Sequence, residues 1–311
     1  MEYGCRTRHA LKVFNPNWCD SHEEYDSDLQ RIATQAGRLQ QTYHPNLVHN
    51  EAFYLHKGCG IKLMELIDGI TLVGLVRERA RKALADNMAD DEFADVNEAI
   101  FSPDGAVQPA LGFYILRKIL HGLAALHNVG YIHCDIKPDN IMLDRFGIVK
   151  IIDFGRAVEV SGEQDIFMGS PMYMAPEVLD LMSVTPLSDL YSTGFVILEL
   201  LHGKQIISRD MPREEILAFK ATLPERITEF LPARVKENAP LAAVLRRLLA
   251  VNPNNRFNSA EEADASSGGA RDIHRQLALA DFVEADYHQD LMRYVSLRVE
   301  SDAKLDGITR Y

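Results

Sequence analysis

One stretch limits what this chain can fold into more than any other: "YIHCDIKPDNIMLDRFGIVKIID", residues 131–153. Its apolar runs "IML" and "IVKII" flank a turn-forming "DRFG", which reads as a β-hairpin over 141–152. Just before the first run, five hydrophilic side chains crowd into the eight residues "HCDIKPDN", too many for a core strand. In an antiparallel pair the start of the first strand lies beside the end of the second. Asn140, which precedes "IML", and Asp153, which follows "IVKII", therefore meet at the open end of the hairpin. Two such oxygen ligands suit a hard cation such as Mg²⁺. Asp135 and Lys137 sit in the loop that feeds this same end. A carboxylate there can accept a proton, and an ammonium can neutralise anionic oxygens. The combination matches the needs of phosphoryl transfer.

Composition narrows the partners. The 311 residues carry a formal net charge of −12, with 47% hydrophobic and 25% charged residues. That is the mix of one large or two medium globular units. An acidic surface repels nucleic acid and anionic membrane, so neither is expected as a partner. No apolar run approaches the ~20 residues that span a bilayer. The longest, "GFVILELL", is broken by Glu199 and reads as a buried helix. Four scattered cysteines without a CxxC pair fit a reducing, cytoplasmic setting. Nothing in the sequence indicates an oligomeric state.

The chain begins with a strand at 8–14, "RHALKVF", followed by a helix over 21–41 with Ser21 and Glu24 spaced as a capping box. "HPNLV" stops that helix, and strands near 47–55 and 60–67 follow. Residues 76–107 are charged and end in "SPDG", which reads as a surface helix with a loop. In "ALGFYILRKILHGLAALHNVG", Leu116, Ile119, Leu120, Leu123 and Leu126 share one helical face. Residues 186–252 are mostly helical, "ASSGGARD" at 265–272 reads as a linker, and Leu291, Val295 and Val299 mark a terminal helix.

These residues carry a specific resemblance. "HCDIKPDN" resembles the H-R-D-x-K-x-x-N catalytic loop of eukaryotic-type (Hanks-type) protein serine/threonine kinases. "DFG" at 153–155 resembles their metal-binding triplet, and "APE" at 175–177 the close of their activation segment. "ALKV" at 10–13 resembles the strand bearing the phosphate-binding lysine, and "LMELIDG" at 63–69 the hinge. "DLYSTG" at 189–194 is similar to their buried central helix, and "NPNNR" ends on Arg256, which the family pairs with the Glu of its APE, here Glu177.

The resemblance implies an α+β, bilobal protein-kinase-like fold. A small, truncated β-rich N-lobe would span 1–66 and a larger, mainly α-helical C-lobe 67–264, with an acidic insertion at about 76–107 and a C-terminal linker and helical tail at 265–311. It implies transfer of the γ-phosphate of ATP to Ser/Thr hydroxyls of a protein substrate. Asp135 would then accept the hydroxyl proton, Lys137 contact the γ-phosphate, Asn140 and Asp153 hold Mg²⁺, and Lys12 bind the α- and β-phosphates. Met64 would be the gatekeeper, with Glu65 and Ile67 offering backbone bonds to adenine. His133 and Phe154 read as packing residues, Asp189 as a brace for the catalytic loop, and Ser170 as a residue that places the acceptor peptide or Asp135.

Three positions depart from the pattern. The glycine-rich loop that precedes the strand lysine in the family is not found ahead of Lys12. Counting back from "HP" to the helix glutamate that should pair with Lys12 lands on Gln35, a neutral amide able to hydrogen-bond that lysine without charge pairing. Cys134 replaces the arginine that receives the activation-loop phosphate, and 156–174 offers only Ser161 and Ser170, so activity is expected without phosphorylation there. The first two leave a catalytically impaired, nucleotide-binding scaffold open as an alternative, and a small-molecule kinase as a third.

Overall fold

Alternation of the strand around Lys12 sets the first layer. The computed structural model describes residues 8–18, 21–76, 96–160, 170–181, 183–280 and 287–305. Strand β1 (His9–Phe14) pairs antiparallel with β3 (Cys59–Glu65), which pairs antiparallel with β2 (Asn50–His56), in the order β1-β3-β2. Helix α1 (His22–Gln40) packs on this sheet, and its N-cap Ser21 accepts the Glu24 N–H as the capping pattern requires. Tyr25 fixes the helix to both strand ends, its hydroxyl donating to the Phe14 or Gly58 carbonyl and accepting from Gly60 N–H.

The second layer is the hairpin foreseen from the sequence. Strands β6 (Ile141–Asp144) and β7 (Val149–Ile151) pair Ile141 with Ile151 and Leu143 with Val149, and β4 (Gly69–Thr71) adds on β6. Short strands β5 (Tyr131–Ile132) and β8 (Val158–Glu159) pair nearby. The segment after α1 docks on β7, with Ile151 N–H donating to Asn46 O and Val48 N–H to Ile151 O. The two lobes are thereby joined through hydrogen bonds at the hairpin itself.

Beneath lie the helices. After the turn α2 (Val73–Val76), helix α3 (Pro109–Asn128) is buried along the predicted stripe and beyond it. It packs on α5 (Pro186–His202), a helix whose charged members Asp189 and Glu199 are buried with the rest. The short α4 (Pro176–Leu179), then α6 (Arg213–Arg226), α7 (Ala239–Leu248) and α8 (Ala260–Ala265), complete the lobe. One extensive buried core runs through these helices and reaches the hairpin residues Ile141, Leu143, Val149 and Ile151.

Two expectations are corrected. Residues 265–272 form no linker. Gly268 takes a φ of +73°, which a side chain would strain, and Gly269 N–H donates to Ser266 O, making a tight corner into α9 (Ala270–Ala280). Helix α9 packs on α3, with Ala270 and Ile273 buried. The end of the 76–107 insertion is not a surface element either: Val96, Ile100, Phe101, Ala106 and Val107 are buried, and Val107 N–H donates to Leu200 O of α5. Residues 77–95, like Ser161, lie outside the described residues. The expected terminal helix is α10 (Tyr287–Leu305), which packs on β4 and β6 through buried Leu291, Tyr294, Val295 and Val299.

Candidate active site

The hairpin brings the expected polar residues together. Ile152 N–H donates to Asn140 O at 2.9 Å, which fixes Asn140 and Asp153 at one end of the ladder. Asn140 Nδ2 donates to Asp135 O and Oδ2, at 2.8 and 2.9 Å. Lys137 Nζ donates to Asp135 Oδ2 at 2.8 Å and to Ser170 Oγ at 3.2 Å. Asp135 is thus held through one oxygen, Oδ2, and Oδ1 takes no hydrogen bond from the described residues. A carboxylate oriented in this way can accept a proton from a group placed before it.

The loop keeps its shape through buried hydrogen bonds. Asp189 on α5 accepts His133 N–H at 2.8 Å through Oδ2 and Cys134 N–H at 3.0 Å through Oδ1, and His127 joins it at 2.8 Å. His133 Nδ1 accepts Asp135 N–H while Nε2 donates to Ile152 O, an arrangement only the neutral imidazole satisfies. Burial agrees, lowering the His133 pKa. Its ring meets that of buried Phe154 edge-on at 5.6 Å. Cys134 and Asp153 both adopt left-handed backbone, with φ of 65° and 59°. Such strained non-glycine residues concentrate where function requires a fixed geometry. Burial also raises the Cys134 thiol pKa, leaving it an unreactive packing group.

Lys12 reaches across from the sheet to Asp153, with Nζ 2.5 Å from Oδ1. Burial opposes ionisation of Asp153, but the hydrogen bond and charge of Lys12 prevail and hold its pKa below the usual value. Gln35 does not contact Lys12, contrary to the sequence expectation. Its amide nitrogen donates to Phe154 O at 2.7 Å and Ala157 O at 3.0 Å, tying α1 to the backbone beyond Asp153. The Lys12 ammonium goes instead to the charged Asp153 carboxylate, a stronger acceptor than the neutral Gln35 Oε1, which is left without a partner among the described residues.

At the hinge, Met64 and Ile67 pack against the core, and Glu65 is committed to structure. Its N–H donates to His49 O, and its carboxylate accepts Lys150 Nζ at 2.8 Å and His49 N–H at 2.7 Å. The sequence reading passed over Lys62, a buried lysine on β3, only 3% exposed. The period-two pattern of "GIKLME" puts it on the same face as Met64, and pairing that strand with β1 would have revealed it.

No group of three or more His, Cys, Asp or Glu side chains among the described residues is placed to hold a metal. The residues present still fit Mg²⁺, which commonly takes one or two protein ligands and completes its shell with phosphate and water. Asn140 Oδ1 and Asp153 Oδ2 are oxygens that no described residue occupies.

A cavity opens beside Lys137, lined by Ser170, Met172, Tyr173, Arg209 and Ile216 among others. Its floor is braced by buried Lys220 of α6, which donates to Pro171 O and Met174 O and lies 5.4 Å from the ring centres of Tyr191 and Phe195. Burial lowers the Lys220 pKa to about 7. The unfolded chain therefore binds more protons than the folded one above pH 7, and stability rises with pH there. Compared with Lys220→Met, wild type should gain up to about 1.4 kcal/mol per pH unit between pH 7 and 9, and nothing below pH 7. Urea unfolding of both proteins across that range checks the slope.

Glu177 and Arg256 form the expected pair, with two bonds of 2.7 Å. Residues 5–266 match the protein kinase domain family.

The chain belongs to that family.

Among relatives, a serine/threonine-protein kinase drp72 of Corynebacterium efficiens is 30% identical over 259 residues, 81% of this chain and 44% of that protein. The cytokinesis protein sepH of Aspergillus niger is 44% identical over 179 residues, 57% of this chain but 12% of its own length. This chain thus spans less than half the length of these relatives. The kinase fold is shown by the crystal structure of the Mycobacterium tuberculosis PknI kinase domain, with a TM-score of 0.55 and 22% identity over 87% of this chain and 85% of that one. No helix among the described residues of this kinase domain is long and apolar enough to cross a membrane.

Proposed function

We propose that this kinase domain transfers the γ-phosphate of ATP to Ser/Thr hydroxyls of a protein substrate. The observation that carries the proposal is the gathering of Asp135, Lys137 and Asn140 by direct hydrogen bonds, with Asp153 at the same end of the hairpin. Asp135 Oδ1 takes the proton of the acceptor hydroxyl as that hydroxyl's oxygen attacks the γ-phosphorus, the bond from this phosphorus to the β–γ bridging oxygen breaks, and ADP leaves. Lys137 places its ammonium between Asp135 and Ser170, where it balances charge on the transferred group. Lys12 would exchange Asp153 for the phosphates, and Asp153 and Asn140 would hold Mg²⁺, which when bound would supply positive charge against the phosphate oxygens. The acceptor chain lies in the cavity beside Lys137, and the backbone at Glu65 and Ile67 receives adenine under Met64.

A nucleotide-binding scaffold without transfer is the second reading, favoured by one observation: Gln35 supplies no charge to Lys12 and is spent on backbone carbonyls. Incubation with γ-labelled ATP, Mg²⁺ and Ser/Thr peptides separates the two. Wild type should place label on Ser or Thr, and Asp153→Ala should lose it. Equal labelling by both proteins, or none by either, would sink the enzyme reading.

A further inference from the structure

Lys62 has no hydrogen-bond acceptor or ion-pair partner among the described residues, and the carboxylate whose charge reaches it is Asp153. Its backbone partner across the β1–β3 ladder is Lys12. Directly paired residues project from the same face with Cβ atoms about 4.5–5.5 Å apart, and like charges so placed repel. Lys12 is relieved by Asp153. Lys62 is 3% exposed, and no described residue accepts a hydrogen bond from it; its ammonium lies 5.4 Å from the Phe154 ring centre. Burial, and then the charge of Lys12, lower its pKa to about 8, with Asp153 opposing.

Among the described residues, no carboxylate of α1 acts on Lys62. Gln35 is neutral, its nitrogen is committed to two carbonyls, and its Oε1 is buried without a partner. Two ammonium groups therefore face one carboxylate in a cleft that also holds Asn140. A buried unpaired cation lowers stability, and residues that break the rules of folding without local compensation mark functional sites. The ligand that satisfies two neighbouring lysines on equal stems is a polyphosphate, since each ammonium binds anionic oxygen as a compact point charge.

We infer that Lys62 is a second phosphate-binding lysine, sharing with Lys12 the polyphosphate chain of ATP. The inference rests on the ATP-dependent reading above. When Lys12 turns from Asp153 to the phosphates, Lys62 is the adjacent cation on the same sheet face.

The test is calorimetric titration of wild type, Lys62→Met and Lys62→Arg with Mg·ATP and, separately, with adenosine, together with thermal unfolding of each unliganded protein. Lys62→Met should weaken ATP binding about tenfold and leave adenosine binding within about twofold. Its Tm should rise by about 2–6 °C as the unpaired charge is removed. Lys62→Arg should keep most of the ATP affinity. Equal loss of ATP and adenosine affinity, unchanged ATP affinity, a lowered Tm or failure of Lys62→Met to fold would each overturn the inference, because each assigns Lys62 to architecture. Wild type that binds no ATP would overturn the ATP-dependent reading itself, and this inference with it; ATP bound equally by wild type and Lys62→Met overturns the inference alone.

Discussion

Asp135→Asn should lower the rate of phosphate transfer by about 10³-fold while changing ATP affinity less than about twofold. The substitution keeps the shape of the side chain. An amide oxygen in the place of Oδ2 can still accept from Lys137 Nζ and Asn140 Nδ2, so the loop retains its hydrogen bonds. What changes is the other atom. Oδ1, which no described residue occupies, becomes an N–H₂ group that cannot take a proton. The effect should therefore fall on kcat. Steady-state kinetics with a Ser/Thr peptide and direct titration of ATP check both halves. A loss confined to KM for ATP would mean that Asp135 serves the nucleotide and not the acceptor.

Arg256→Met should destabilise the fold by about 3–5 kcal/mol, more than any other single change foreseen here. The guanidinium is wholly buried and bonds Glu177 through both nitrogens at 2.7 Å, with Ala250 O at 2.9 Å and Leu187 O at 2.9 Å as further acceptors. Removing it strands a carboxylate at 8% exposure with Ser188 Oγ as its remaining side-chain donor among the described residues. An uncompensated buried charge accounts for most of that cost. The double variant Glu177→Met, Arg256→Met should recover part of the loss, because no lone charge remains. Denaturant unfolding of the three variants gives the comparison, and additive losses would show that the pair is not coupled.

Much of this architecture is legible from residue order. The hairpin, the polar loop before it and the Glu177–Arg256 pair each follow from local pattern or from the family resemblance. Other features depend on contacts that sequence spacing cannot convey. Val96, Ile100 and Phe101 carry a helical stripe of their own, but it is diluted by the charged residues on either side, so the burial of 96–107 goes unseen. "SSGG" reads as flexible because glycine and serine resist helix, yet the same freedom lets Gly268 take a turn that joins two packed helices. Spacing picks out Gln35 on α1 but not its partner: which of Lys12 or the Phe154 carbonyl it meets is decided by how α1 sits on the sheet. Lys62 escapes notice for a related reason, since its burial arises only once β1 lies beside β3.

Helix α10 changes where this domain can be cut. The family match stops at residue 266, but Tyr294 donates its hydroxyl to Gly74 O and stacks edge-on against Phe101 at 5.7 Å, and Glu300 approaches Arg145 at 3.6 Å in the hairpin turn. A polypeptide trimmed to the match would bare an oily strip along β4 and β6, on the far side of the ribbon that presents Asn140 and Asp153. Expression of the shorter piece would then yield a sticky, loosened protein, and weak turnover from it would say little about the chemistry of the longer one.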